Sequence, residues 1–195
     1  PVQSGSDRIL AAMHRGYNKS KYQERLAEAR KLIPDLAVTT DIIVGFPGET
    51  EKDFQETLAL AADAEFDGAY TFIFSPRPGT KAAEMVEEFC DPSIVTERYE
   101  RLRAVILRSG LRKHENRIGI HEEVVVEGPS KKNPALTSGR TRQNKLIHFE
   151  TSSELPAGSI ATAEVLSASP HYLHGRLLEV IEVPKRKTRI PVVAV

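Results

Sequence analysis

One stretch of eleven residues, 40–50 (TDIIVGFPGET), constrains this chain more than any other part of it. A run rich in β-branched residues enters a turn of two glycines and a proline, and Thr50 followed by Asp53 forms a capping-box pattern for a helix. A strand feeding a helix in this way belongs to an α/β fold, which binds ligands at the C-terminal ends of its strands, beside free helix N-terminal amides. The turn has neither the Gly-Lys-Ser/Thr of a phosphate loop nor GxGxxG, so nucleoside triphosphates and dinucleotides have little support. A tight turn with no ligand is the plain alternative. Within the strand Asp41 is the informative residue: a carboxylate among apolar neighbours is costly unless it faces a ligand cavity or is held in a salt bridge.

The flanking sequence extends the α/β pattern. Ser6 can cap a helix with Ile9, Leu10, Met13 and Tyr17 on one face, and Tyr22, Leu26, Ala29 and Ile33 give a second helical stripe that Pro34 stops. Residues 37–44 are apolar at most positions, which predicts a parallel strand covered on both faces. Phe54, Leu58 and Ala61 form the stripe of the next helix. Residues 69–74 predict another strand, with Tyr70, Phe72 and Phe74 on one side, and it ends at the rigid turn 75–80 (SPRPGT). A long helix over about 93–117, striped by Tyr99, Leu102 and Ile106, closes this half.

After Arg117 the period changes, and short strands at 119–126, 145–149, 159–165 and 175–181 predict a small antiparallel barrel. Charge is redistributed too. The chain balances 27 Lys and Arg against 27 Asp and Glu, yet residues 128–149 hold Lys131, Lys132, Arg140, Arg142 and Lys145 without one acid. Such a segment fits an anion, with Arg donating bidentately to phosphate and Gln143 or Asn144 able to reach base edges; a solvated basic face is the bland alternative. The tail 185–195 is basic and patternless.

Several classes are excluded. No apolar run approaches the roughly 20 residues that cross a bilayer. The single Cys90 allows neither a disulfide framework nor a thiolate metal site within the chain, and reads as an inert helix-end cysteine. Six scattered histidines lack paired ligand spacing, so no metal ligand is assigned. The chain starts at Pro1, directly on a motif, and is read as a piece of a longer protein.

The segments PVQSGSDRIL (1–10), MHRGY (13–17), TTDIIVGFPGET (39–50), YTFIFSPRPGT (70–80), EGPSKKNP (127–134) and SGRTRQNK (138–145), in this order, resemble the methylthiotransferases of the radical S-adenosylmethionine (SAM) superfamily. The basic stretch is similar to the tRNA-modifying branch. The resemblance implies that 1–117 is the C-terminal part of a radical-SAM partial (β/α) barrel with its closing helix. It implies that 118–184 is a TRAM domain, a small RNA-binding β-barrel, before the basic tail. It places S-adenosylmethionine near Gln3, Ser4, Ser6, Asp41, Ile43, Gly45, Phe74 and Ser75, with Ile43 and Gly45 on the strand that packs against adenine. Lys131, Lys132, Arg140, Arg142, Asn144 and Lys145 are the implied tRNA contacts, at an anticodon stem-loop.

Members of the family hold two 4Fe–4S clusters, one on CxxxCxxC and one on three further cysteines, and neither set is in this sequence. The implied activity is cytoplasmic methylthiolation of C2 of N6-isopentenyladenosine next to the anticodon, through a 5′-deoxyadenosyl radical and a second SAM as methyl donor. The chain itself is then catalytically incomplete and has no catalytic residue assigned; its partners are tRNA and the missing N-terminal parts of its own polypeptide. The alternatives are a stand-alone RNA-binding module, or a methylthiotransferase acting on threonylcarbamoyladenosine or a ribosomal protein.

Overall fold

The computed structural model describes residues 1–184, which divide into two compact units, one ending at Lys113 and one beginning at His114. The basic tail expected at 185–195 lies outside the described residues.

The first unit is α/β. Its elements are α1 (Asp7–Ala12), α2 (Lys19–Leu32), β1 (Thr39–Val44), α3 (Glu51–Ala64), β2 (Gly68–Ile73), α4 (Lys81–Glu84) and α5 (Pro92–Glu115), with a 3-10 turn at Val86–Glu88 before α5. β1 and β2 pair in parallel with Asp41 opposite Tyr70 and Ile43 opposite Phe72. On the other side of β1 the N-terminal segment adds one parallel bridge at Gln3, whose N–H donates to the Asp41 carbonyl at 2.9 Å while its carbonyl accepts from Ile43 N–H at 2.9 Å. Thus three chain segments lie side by side, as βαβ connections require.

The core beneath them is formed by Val2, Ile42, Val44, Phe54, Leu60, Ala61, Phe66, Val95 and Leu102, with Tyr22 and Leu26 of α2 partly buried against it. Fully burying Phe54 alone is worth about 2–3 kcal/mol. α1, α2 and α3 each begin at a side-chain cap. Ser6 accepts from Ile9 N–H, Asn18 from Lys21 N–H, and Thr50 and Asp53 make the reciprocal capping box of α3. The C-terminus of α3 closes on Glu65 at φ +45°, and Arg30 of α2 donates to the free carbonyls of Ala64 and Glu65.

Three sequence expectations are revised. α1 ends at Ala12, so Met13 is its cap and Tyr17 lies beyond it, donating its hydroxyl to the Pro1 carbonyl at 2.7 Å. β1 is covered on one face only: Thr40, Ile42 and Val44 are buried, and Asp41 and Ile43 are turned to a cavity. β2 is an edge strand, with Tyr70 73 % and Phe72 51 % exposed, and it ends one residue before Phe74.

The second unit is a closed barrel of five strands, β3 (His121–Pro129), β4 (Thr137–Thr141), β5 (Leu146–Glu150), β6 (Ile160–Ala168) and β7 (Leu173–Glu182), in the order β3-β4-β5-β7-β6. All neighbours are antiparallel except β5 and β7, which pair in parallel and close the barrel, so the sheet is mixed rather than wholly antiparallel. Closure leaves no free sheet edge. Alternate residues point inward, and Val124, Val126, Ile147, Phe149, Ala163, Val165 and Leu173 fill the interior.

β4 is the strand that its sequence hides. Thr-Ser-Gly-Arg-Thr has no apolar alternation, yet Thr137, Ser138 and Thr141 are buried. Gly139 is needed there because a Cβ would stand 2.3 Å from a Val124 methyl and 2.8 Å from the Val125 carbonyl.

Candidate functional site

The strand-to-helix turn after β1 is held from below by a buried ion pair. Glu49, 5 % exposed, accepts Gly45 N–H at 3.0 Å and Arg98 Nη1 at 3.0 Å through the same carboxylate oxygen, and Arg98 also reaches the Glu49 carbonyl at 3.1 Å. Burial pushes the Glu49 carboxyl up from its ordinary value, and the Gly45 amide and Arg98 pull against that shift. Gly45 itself sits at φ +74°, and a Cβ on it would meet the Val95 methyls of α5 at 2.6 and 2.8 Å. Cys90 lies half-buried against the same turn, its Sγ 3.5 Å from the Glu49 carbonyl. Burial raises its thiol pKa, which agrees with an inert cysteine.

A second network ties the N-terminal segment to α3. Gly5 passes so close to this helix that a Cβ would stand 2.5 Å from the Glu56 carbonyl oxygen, and its N–H donates to Thr57 Oγ1 at 2.9 Å. Ser6 Oγ donates to Asp53 at 2.6 Å, Thr50 N–H donates to it at 2.9 Å, and Arg8 pairs with the same carboxylate. Burial would raise the Asp53 pKa, but the donors Arg8, Ser6 and Thr50 outweigh it and hold the carboxyl far below its ordinary range.

Above these supports, on the open face of β1 and β2, is a cavity of about 780 Å³. Gln3, Asp41, Ile43, Phe74 and Ser75, all singled out in the sequence, line it together. Ser4, Ser6 and Gly45 do not: Ser4 is turned to Thr57 at 3.3 Å, Ser6 caps α1, and Gly45 packs against Val95. These three shape the wall from behind. Gln3 is held at φ +64° and is buried beside β1, with which it makes its one parallel bridge. Among the described residues no ion pair engages Asp41, so of its two readings the cavity-facing one describes it.

Other lining residues had no site role assigned from the sequence, although most lie in the quoted segments 13–17 and 70–80. Met13, His14 and Arg15 come from the turn after α1, with His14 at φ +56°, and Arg77, Thr80, Lys81 and Met85 come from the segment after β2. Phe46 joins them and packs edge-on against Phe74 with ring centroids 5.4 Å apart. Aliphatic and aromatic walls with one carboxylate, an amide, two hydroxyls, an imidazole, an ammonium and two guanidinium groups suit an amphiphilic ligand that carries both a ring system and charges.

The sequence-assigned basic residues sit in three different settings on the barrel. Lys131 and Lys132 are exposed in the turn before β4. Arg140 pairs with Glu127 at 3.2 Å and Arg142 lies 4.0 Å from Glu123, both near the surface, so acids that the local window omits are supplied by β3. Asn144 takes φ +58° in the hairpin between β4 and β5. Lys145 is 5 % exposed and engaged within the fold, unlike the surface cation that its sequence suggests, and its backbone pairs with Thr141 across the hairpin.

Residues 1–61 match the Radical SAM superfamily. Proteins named tRNA-2-methylthio-N(6)-dimethylallyladenosine synthase are 47 % identical in Tropheryma whipplei (90 % of this chain, 38 % of the relative), and 46 % identical in Moorella thermoacetica (92 % and 40 %). In Nocardia farcinica the identity is 46 %, over 89 % of this chain and 35 % of the relative. The chain therefore spans about two fifths or less of the length of the curated relatives it matches. By descent the chain is a homologue of these synthases over about nine-tenths of its own length, with a radical SAM segment at residues 1–61.

Proposed function

We propose that this chain is part of a tRNA-modifying radical SAM methylthiotransferase that acts at C2 of N6-isopentenyladenosine beside the anticodon. The observation that carries the reading is the cavity on the open face of β1 and β2, whose lining begins within the radical SAM segment and includes Gln3, Asp41, Ile43, Phe74 and Ser75. S-adenosylmethionine is the ligand we assign to it. Ile43, Phe46 and Phe74 offer apolar surface for the adenine ring, Asp41 a negative charge for the ligand's cationic groups, and Gln3 and Ser75 polar atoms for its ribose or carboxylate. Ser4, Ser6 and Gly45 act on this ligand only through the wall they hold in place.

S-adenosylmethionine and two 4Fe–4S clusters would supply the radical and methyl chemistry, and the protein's share is to orient the reactants and keep water out. With Cys90 as its single cysteine, the sequence cannot ligate either cluster, so their thiolates belong to the rest of the polypeptide in this reading. The barrel is assigned as a TRAM domain, with Lys131, Lys132, Arg140 and Arg142 as its phosphate contacts and Asn144 beside them. The reading places the enzyme in the cytoplasm with tRNA.

Nucleoside mass spectrometry of tRNA from a strain deleted for the gene is the direct test. Loss of the 2-methylthio group with accumulation of N6-isopentenyladenosine is the expected result. A retained 2-methylthio group, or loss confined to threonylcarbamoyladenosine or to a ribosomal protein, would sink the assignment.

A further inference from the structure

The barrel also carries a ring cluster, of which only His148 falls within the basic segment 128–149. Parallel pairing of β5 with β7 sets His148 opposite His174, and both side chains point outward because their neighbours Ile147, Phe149 and Leu173 fill the interior. Tyr172, just before β7, completes a triad: ring centroids are 5.3 Å apart for His148 and Tyr172, 5.2 Å for Tyr172 and His174, and 6.2 Å for the two histidines. His174 is exposed and the other two are half-exposed, so three π systems share one patch of surface.

The patch is pre-organised. Ser138 Oγ lies 3.1 Å from His148 Nδ1. Ser169 braces Tyr172 from below: its Oγ accepts Tyr172 N–H at 3.2 Å and its N–H donates to the Tyr172 carbonyl at 2.9 Å. The Ser169 carbonyl in turn is 2.6 Å from His114 Nδ1. A backbone held at Tyr172 and a ring held at His148 reduce the entropy lost when something is laid on the patch.

We propose that His148, Tyr172 and His174 form a base-stacking surface for unpaired nucleotides of an RNA, with Arg140 at its border engaging the adjoining phosphate. Single-stranded RNA is the class of ligand that needs both features at once, since unstacked bases lie on aromatic or imidazole rings while cations follow the backbone. Burial first, then His174 and Arg140, lower the His148 imidazole pKa from its ordinary value, so Arg140 lies close enough for its charge to be felt at the ring. Its partner Glu127 is exposed, and an ion pair of that kind exchanges readily for a phosphate. The inference rests on the tRNA reading and deepens it by adding a contact that salt does not screen.

The test measures binding of tRNA, and separately of an oligouridine probe, to the purified full-length protein across a potassium chloride series. Tyr172→Ala and His174→Ala are each expected to weaken both complexes about tenfold, with the wild-type salt slope retained, because stacking releases no counterions. Tyr172→Phe keeps the ring and should bind within about twofold of wild type; near-ultraviolet circular dichroism checks the fold, and should the alanine variant at 172 not fold, His174→Ala carries the test. Wild-type affinity for both RNAs in both alanine variants overturns the proposal. Ring-dependent binding of oligouridine without binding of tRNA supports the stacking surface and refutes the tRNA reading. If the wild type binds neither RNA, both fall.

Discussion

Asp53 is the residue at which the first unit can be tested most sharply. Its carboxylate accepts Ser6 Oγ at 2.6 Å and Thr50 N–H at 2.9 Å, and it also holds the Thr50 hydroxyl and the Arg8 guanidinium. Replacing it by alanine removes the capping box, worth about 0.5–2 kcal/mol. The buried Ser6 hydroxyl also loses its acceptor, at about 1–3 kcal/mol for an unsatisfied buried group. Arg8 is 56 % exposed, so its ion pair adds no more than about 1 kcal/mol. Asp53→Ala should therefore destabilise by about 3 kcal/mol, and Asp53→Asn, which keeps the shape and one acceptor oxygen, by about half as much.

Urea unfolding followed by far-ultraviolet circular dichroism reads this as a lower midpoint with an unchanged slope. The pH dependence gives a second, independent check. The folded-state pKa of Asp53 lies below the ordinary value of 3.8, so the unfolded chain holds the proton more tightly in the acid range. Stability from this group is thus fully present above about pH 4 and is lost as pH falls towards the folded value. The gap between wild type and Asp53→Asn should be widest at neutral pH and shrink on acidification. A loss below about 1 kcal/mol for Asp53→Ala, or a gap that grows as pH falls, would refute the reasoning.

Gly45→Ala combines a left-handed backbone with overlap against Val95, and should cost about 2–4 kcal/mol in the same unfolding assay; a neutral result would mean the turn has room that its geometry denies. Arg98→Ala leaves Glu49 buried without its cation and should destabilise by about 3 kcal/mol at neutral pH. Because the Glu49 carboxyl is already raised above its unfolded value and moves higher in this variant, the protonated form is the better tolerated one, and the deficit should narrow as pH falls; a deficit independent of pH would count against an ionised Glu49. Lys132→Ala should lower the dependence of tRNA binding on salt by about one phosphate contact, whereas unchanged binding at low salt would remove Lys132 from the interface.

Comparing these residues shows which kinds of signal the sequence carries. The α3 cap and the parallel strand before it were legible because capping boxes and β-branched runs are local patterns, and the structure has Thr50, Asp53 and Ile42 in those roles. The half-covered state of β1 was not legible, since a strand facing a cavity on one side has the same composition as one covered by helices on both. β4 was missed for the opposite reason. Its small polar residues are buried by strands β3 and β5 rather than by their own hydrophobicity, and the glycine that permits this matters only once Val124 is beside it. In the candidate site, Asp41 stood out as a carboxylate within an apolar strand and Gln3 and Ser75 through the family resemblance, whereas Arg77 and His14 lay in the same motifs without a role assigned to them and are brought to the cavity by the fold.

By itself the sequence determined the order of the longer helices and of all strands but β4, the capped turn at 40–50, the change of period after Arg117 and the kinship carried by its motifs in order. These follow from interactions between residues a few positions apart, or from identity along the chain. Tertiary structure decided which polar residues are support and which are surface. It turned Ser6 and Glu49 inward as props of the cavity wall and set Lys145 within the fold. It also brought His148 to Tyr172 and His174 across a parallel pair of strands. The physical reason is that burial and strand register are properties of the closed sheet and the packed core, fixed by residues far apart in sequence.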